Sequence, residues 1–215
     1  MSTIPPLKSD HSTPRKVLER LLQGNERFVN NTPEHPNQDA ARKHALTGGQ
    51  HPFATLFGCA DSRVAAEMIF DVGLGDMFVV RTAGQVTDAV TLGSLEYGAV
   101  SVGTPLLIVL GHDSCGAVTA AIESYDSGTT PEGFVADIVA RLLPTVVESR
   151  KAGHQDVNST VALNTINTAR MLYSRSPVLA RQVDAGKLII LGMTYSLDDG
   201  HVHIVERIGA TAPTD

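Results

Sequence analysis

Apolar positions along this chain follow two different spacings. In "TPRKVLERLLQGNERFVN", Val17, Leu18, Leu21, Leu22 and Phe28 recur every three or four residues, the period of one helix face. Thr13 is suited to cap that helix and Pro14 to take its first position. A second, short helix is predicted in "NQDAARKHALTGG", stopped by Gly48 and Gly49. The pattern then changes. "PFATLFGCA", "DMFVVRTAG" and "TPLLIVLGHDS" are compact apolar runs rich in β-branched residues, each ending in glycine or small polar residues. Runs without alternation fit strands covered on both faces, as in a parallel sheet.

Helical stretches link or follow these strands: "DAVTLGSLEYGAVSVG" and "CGAVTAAIESYDSG". A long helical region follows, with Pro144 expected to kink its first part. "KLIILGMTYSLDDGHVHIVERIG" reads as a strand, an Asp-Asp-Gly turn and a partner strand, a hairpin signal. Strand–helix alternation implies crossover units. The predicted class is α/β: a mostly parallel central sheet flanked by helices, with a C-terminal antiparallel edge strand and an N-terminal helical arm. The divisions are a flexible polar leader over residues 1–13, the arm over 14–50 and the α/β domain over 51–215. The arm's apolar stripe has no partner that the order of the βαβ units requires, so it is expected to pack on something.

Composition narrows the function. With 17 Lys and Arg against 23 Asp and Glu, the net charge is −6, which argues against a general nucleic-acid surface. No apolar run approaches the roughly 20 residues of a membrane span. The polar start has no signal-peptide centre, so a cytoplasmic location is expected. The 2 cysteines are too few for a disulfide scaffold. Two lone thiols are commonly inert core residues, so their neighbours decide the matter.

Those neighbours are informative. "CADSRV" places Cys59, Asp61 and Arg63 at alternate positions where a strand gives way to a helix. "GHDSCGAV" places His112 and Cys115 three apart at the end of another strand. Ligands of open α/β sheets collect at the carboxyl ends of strands, so the two ends converge if those strands are neighbours. Two thiolates and one imidazole suit zinc, and three protein ligands leave its fourth position open, as catalytic sites do. An iron–sulfur cluster would ask for four thiolates. Asp61 and Arg63 taken alone would read as a surface ion pair; beside Cys59 they read as functional.

Together the motifs resemble the two zinc-binding motifs of the β-class carbonic anhydrases, over about residues 16–209. The resemblance implies one Zn2+ per chain on Cys59, His112 and Cys115, and zinc-dependent hydration of carbon dioxide to bicarbonate. It makes Asp61 the acid–base partner and Arg63 the cation that holds it ionised. It implies Gln50, Phe78, Ala83 and Tyr97 as pocket residues, with the Gly116 N–H as donor to a substrate oxygen. Without it, Phe78 and Tyr97 would read as core aromatics. It also implies a homodimer or tetramer, with the N-terminal arm across a neighbouring subunit and the pocket at the subunit boundary. Leu56 stands where a bicarbonate-regulated subclass carries tryptophan, so the chain resembles the plant-like subclass. Two other readings are a zinc hydrolase of CS2 or COS on the same fold, and a non-catalytic zinc- or thiol-sensing module. His201 and His203 alternate on the last strand and share a face; the spacing permits a metal, but an exposed strand face is the plainer reading.

Overall fold

A computed structural model describes residues 13–209 of the chain. The polar leader expected over residues 1–13 lies, but for Thr13, outside them. Five strands form one sheet: β1 (Ala54–Cys59), β2 (Met77–Thr82), β3 (Leu106–His112), β4 (Ile189–Tyr195) and β5 (Val202–Ile208), in the order β2-β1-β3-β4-β5. The first four are parallel and β5 closes the edge antiparallel to β4. Every residue of β1 and β3 is buried, as expected of unalternating apolar strands covered on both faces.

The chain leaves β1 for β2 on one side and returns to place β3 on the other side of β1. The crevice between β1 and β3 is therefore the point where strand order reverses. There the helices of the two crossovers diverge and leave room for a ligand.

Helix α1 (Pro14–Val29) begins as read: the Thr13 hydroxyl accepts from Lys16 N–H and Pro14 stands at the first position. Its stripe, however, is not left without a partner. Val17 and Leu21 are buried in one cluster with Leu56 of β1, Ile108 of β3 and Leu191 of β4, and Leu18 and Phe28 pack against it. α1 thus covers one face of its own sheet, together with the short α3 (Ala66–Ile69). Burying a leucine of this kind contributes about 1.5–3 kcal/mol. The short helix α2 (Ala40–Ala45) lies between them in sequence, capped by the Asp39 carboxylate.

The other face is covered by α4 (Ala89–Glu96), α7 (Val157–Arg175) and α8 (Pro177–Asp184), through Leu95, Leu172 and Leu179 packed on Phe57, Leu107 and Ile190. α7 and α8 read as one helical stretch in sequence. They part at Ser176, whose hydroxyl caps α8 ahead of Pro177. A third cluster unites Cys59 and Cys115 with α5 (Gly116–Ser127) and α6 (Val135–Lys151). α6 runs through Pro144 as a single helix. No helix among the described residues is long and apolar enough to cross a membrane.

Candidate metal centre

Cys59 ends β1, His112 ends β3, and Cys115 follows after a two-residue turn. Gly58 pairs with Leu110 in the β1–β3 ladder, so the two strand ends stand side by side. The Cys59 and Cys115 sulfurs are 4.0 Å apart, and the ligand atoms of the three residues all lie within 4.8 Å of one another. Both thiols are free and buried. An S–S bond would need about 2.05 Å.

His112 tests whether a metal fits. Its side chain is fully buried, and Nδ1 lies 2.8 Å from the Asp113 carbonyl. A carbonyl only accepts, so Nδ1 carries the proton and Nε2 presents its lone pair. That Nε2 has no hydrogen-bond partner. A buried unpaired acceptor costs about 1–3 kcal/mol, unless it has a ligand to bind. It faces two thiols within ligating reach, which is the donor set and spacing a borderline-soft cation takes.

The sulfurs titrate as a pair. The Cys59 thiol is pulled down to about 4, first because Cys115 donates to it, against the opposing effect of burial, and also by the Gly84 N–H. The Cys115 thiol is pushed up by that same hydrogen bond and by burial. One proton leaves readily; the second leaves only when a cation replaces it. At His112 burial works against the imidazolium, but the neighbouring Cys59 sulfur outweighs it and raises the pKa.

Asp61 and Arg63 form a closed unit beside the sulfurs. Arg63 donates from Nε to Oδ1 at 2.9 Å and from a terminal nitrogen to Oδ2 at 2.7 Å, and its backbone N–H also reaches Oδ1 at 2.9 Å. This fork holds the Asp61 carboxyl well below the usual carboxylate range. Asp61 Oδ2 lies 3.9 Å from His112 Nε2, so the carboxylate borders the space the three ligands enclose.

Several supporting residues were not singled out in the sequence. Arg81, at the end of β2, donates to the Cys59 carbonyl at 2.8 Å and to the Asp61 carbonyl at 2.5 Å. The Gly84 N–H donates to Cys59 Sγ at 3.3 Å, and Asn164 of α7 donates to the Gly84 carbonyl at 3.1 Å. Asn158 accepts from the Ser114 N–H at 2.9 Å, which steadies a serine held at φ +51° between His112 and Cys115. The glycine in "RTAGQ" was the one visible signal; the others depend on register and on contacts far apart in sequence.

The pocket residues divide. Ala83 directly follows β2 and precedes Gly84, and Gly116 opens α5 next to Cys115, so both adjoin the centre. A cavity of about 340 Å³ opens beside Ala83, lined also by Val86, Phe134 and Ile138. Phe78 and Tyr97 do pack together, with ring centroids 5.9 Å apart. Yet Phe78 pairs with Thr55, four residues before Cys59, which is about 13 Å along the strand. Gln50 is exposed ahead of β1, toward the opposite end of the sheet. Within one chain these three are not brought to the sulfurs.

Residues 54–202 match the model of a family described as carbonic anhydrase. The chain is 47% identical to carbonic anhydrase 2 of Mycobacterium tuberculosis over 199 residues, covering 93% of this chain and 96% of that one. It is 48% identical to a carbonic anhydrase of Mycolicibacterium smegmatis, covering 93% and 97%. Its fold is similar to that of the tetrameric β-carbonic anhydrases from Sordaria macrospora, with a TM-score of 0.69 at 21% identity, covering 88% of this chain and 96% of that one.

Proposed function

The chain belongs to the carbonic anhydrase family, whose reaction is the reversible hydration of carbon dioxide, and we propose that here it runs on one zinc ion held by Cys59, His112 and Cys115. The observation that carries the choice of ligands is the buried, unpartnered His112 Nε2 facing two thiols. When bound, zinc supplies a Lewis acid that lowers the pKa of water from 15.7 toward about 7.

The chain's own groups do the rest. Asp61 accepts a hydrogen bond from the attacking water and so orients its lone pair toward the carbon of CO2. Arg63 keeps Asp61 an acceptor by holding it ionised. Ala83 and Val86 offer an apolar wall to a molecule with no net dipole. The Gly116 N–H, at the first position of α5, donates to the substrate oxygen that gains charge, and the helix N-terminus favours the anion formed.

We also propose a homodimer, paired further into a tetramer, in which Gln50, Phe78 and Tyr97 serve a partner's pocket. Support comes from exposed apolar side chains: Tyr97, packed on Phe78, is 52% exposed, Val90 77% and Phe134 89%. Large apolar side chains left this exposed are commonly covered by another subunit. The Sordaria proteins of the same fold are tetrameric.

Metal analysis beside CO2 hydration by stopped flow tests the reading. Cys59→Ser and His112→Ala should each lose zinc and activity together, and chelation of the wild type should do the same. Undiminished hydration by thoroughly zinc-free protein would overturn the assignment.

A further inference from the structure

We propose that His201 and His203 form a second metal site, a surface chelate for a divalent transition-metal ion, distinct from the centre built by Cys59, His112 and Cys115. His201 immediately precedes β5 and His203 is its second residue. Side chains two apart on an extended chain point to the same side. The two rings are nearly parallel, at 23°, with centroids 6.4 Å apart. An imidazole nitrogen sits about 2.0–2.1 Å from a bound ion, so each ring centre lies about 3.2 Å from it. At the near-right angle of a chelate the two ring centres would stand about 4.5 Å apart, which rotation of the exposed His203 toward His201 would supply.

A second observation points to a ligand. The Asp199 carboxylate Oδ1 accepts from the His201 backbone N–H at 3.0 Å and lies 3.4 Å from Nδ1 of the same ring. A metal-binding imidazole is ordinarily held this way, its far nitrogen turned toward a carboxylate and its near nitrogen left to the metal. The arrangement turns Nδ1 of His201 toward the carboxylate and leaves Nε2 for an ion. The turn that supplies Asp199 also carries Asp198, so the local charge is negative before a cation arrives. Imidazole donors and a two-ligand bite select Cu2+ or Ni2+ over Mg2+ or Ca2+.

The pair lies at the same end of the sheet as the catalytic centre. Val202 pairs with Tyr195, and Tyr195 with His112, so Val202 stands two strand spacings, about 10 Å, from His112. A cation bound there would put positive charge at the sheet end where the reaction forms an anion.

The test uses zinc-loaded, untagged full-length protein titrated with Ni2+ in a calorimeter, with zinc release followed in parallel. One nickel per chain should bind without zinc release. His203→Gln should lose that binding, and Asp199→Asn should weaken it about ten-fold. CO2 hydration without added nickel should be unchanged in His203→Gln, which is outside the catalytic machinery. Cu2+ on the same protein should give an electron spin resonance signal coupled to two imidazole nitrogens. Nickel binding unaffected by His203→Gln, nickel uptake matched by zinc release, or a copper signal without nitrogen coupling would each overturn the proposal.

Discussion

Arg81 holds the loop of Cys59 from behind: its Nε donates to the Cys59 carbonyl at 2.8 Å while a terminal nitrogen donates to the Asp61 carbonyl. One planar guanidinium thus fixes the backbone on both sides of Ala60, the residue between a ligand and the carboxylate. Arg81→Lys keeps the charge but cannot span both carbonyls. Zinc content should stay near one per chain while turnover falls about 10- to 100-fold, the usual cost of losing an outer support. A variant with wild-type turnover would show that the ladder and Arg63 alone hold Asp61.

Asp61 carries a sharper expectation. Asp61→Asn should retain zinc and lose about 10² to 10⁴ in rate, the usual weight of an acid–base partner. Arg63 holds the carboxyl well below its ordinary range, so Asp61 stays ionised at every pH where the enzyme works. Any acid limb between about pH 6 and 8 should therefore keep its position in Asp61→Asn while the plateau drops. If the limb vanishes with the aspartate, Asp61 itself titrates there and the pairing with Arg63 does not persist in turnover.

The same depressed pKa has a consequence for stability. Its contribution is present above the ordinary carboxylate value near 3.9 and is lost as pH falls through the lowered one. The stability difference between wild type and Arg63→Ala, from urea unfolding, should be constant above about pH 5 and shrink below about pH 4. A difference that grows on acidification would contradict the sign.

α1 shows where the sequence stopped being legible. Its cap, its proline and its stripe were all readable, because capping and period are local properties. Its partner was not, because an amphipathic stripe says that it will be covered but not by what. The same boundary runs through the site. Cys59, His112 and Cys115 were visible as strand-end residues of ligating chemistry. Arg81 was not, since its role depends on β2 aligning Arg81 with Gly58. Asn164 reaches the centre only because α7 packs closely over the sheet, where a Cβ on Gly111 would come within 2.2 Å of the Thr165 hydroxyl. Leu21→Ala tests the corrected place of α1. It should cost about 2–5 kcal/mol of unfolding free energy in the zinc-loaded protein, since Leu21 is wholly buried. A loss under about 0.5 kcal/mol, the range of surface changes, would return the stripe to an interface between subunits.

Gly84 joins backbone conformation to the metal centre. It sits at φ +62° and ψ 24°, a left-handed conformation that costs a residue with a Cβ about 1–2 kcal/mol. A Cβ there would also stand 3.0 Å from Ala117 Cβ and 3.1 Å from Leu142 Cδ1, both packed around the cysteines. The Gly84 N–H donates to Cys59 Sγ, so any shift that relieves the strain lengthens a bond to a sulfur of the proposed zinc site. Gly84→Ala should fold, yet release zinc to a chromogenic chelator with affinity lowered about 10- to 100-fold. Leu142→Ala added to it removes the Leu142 contact without altering φ or the Ala117 contact. If the added change restores zinc affinity, crowding was the cause. If affinity stays low in the double variant, Leu142 is not the cause, which leaves the backbone angle that aims the N–H at Cys59 and the Ala117 contact, the outcome expected here. Unchanged zinc affinity in Gly84→Ala itself would show that the N–H contributes nothing to holding the ion.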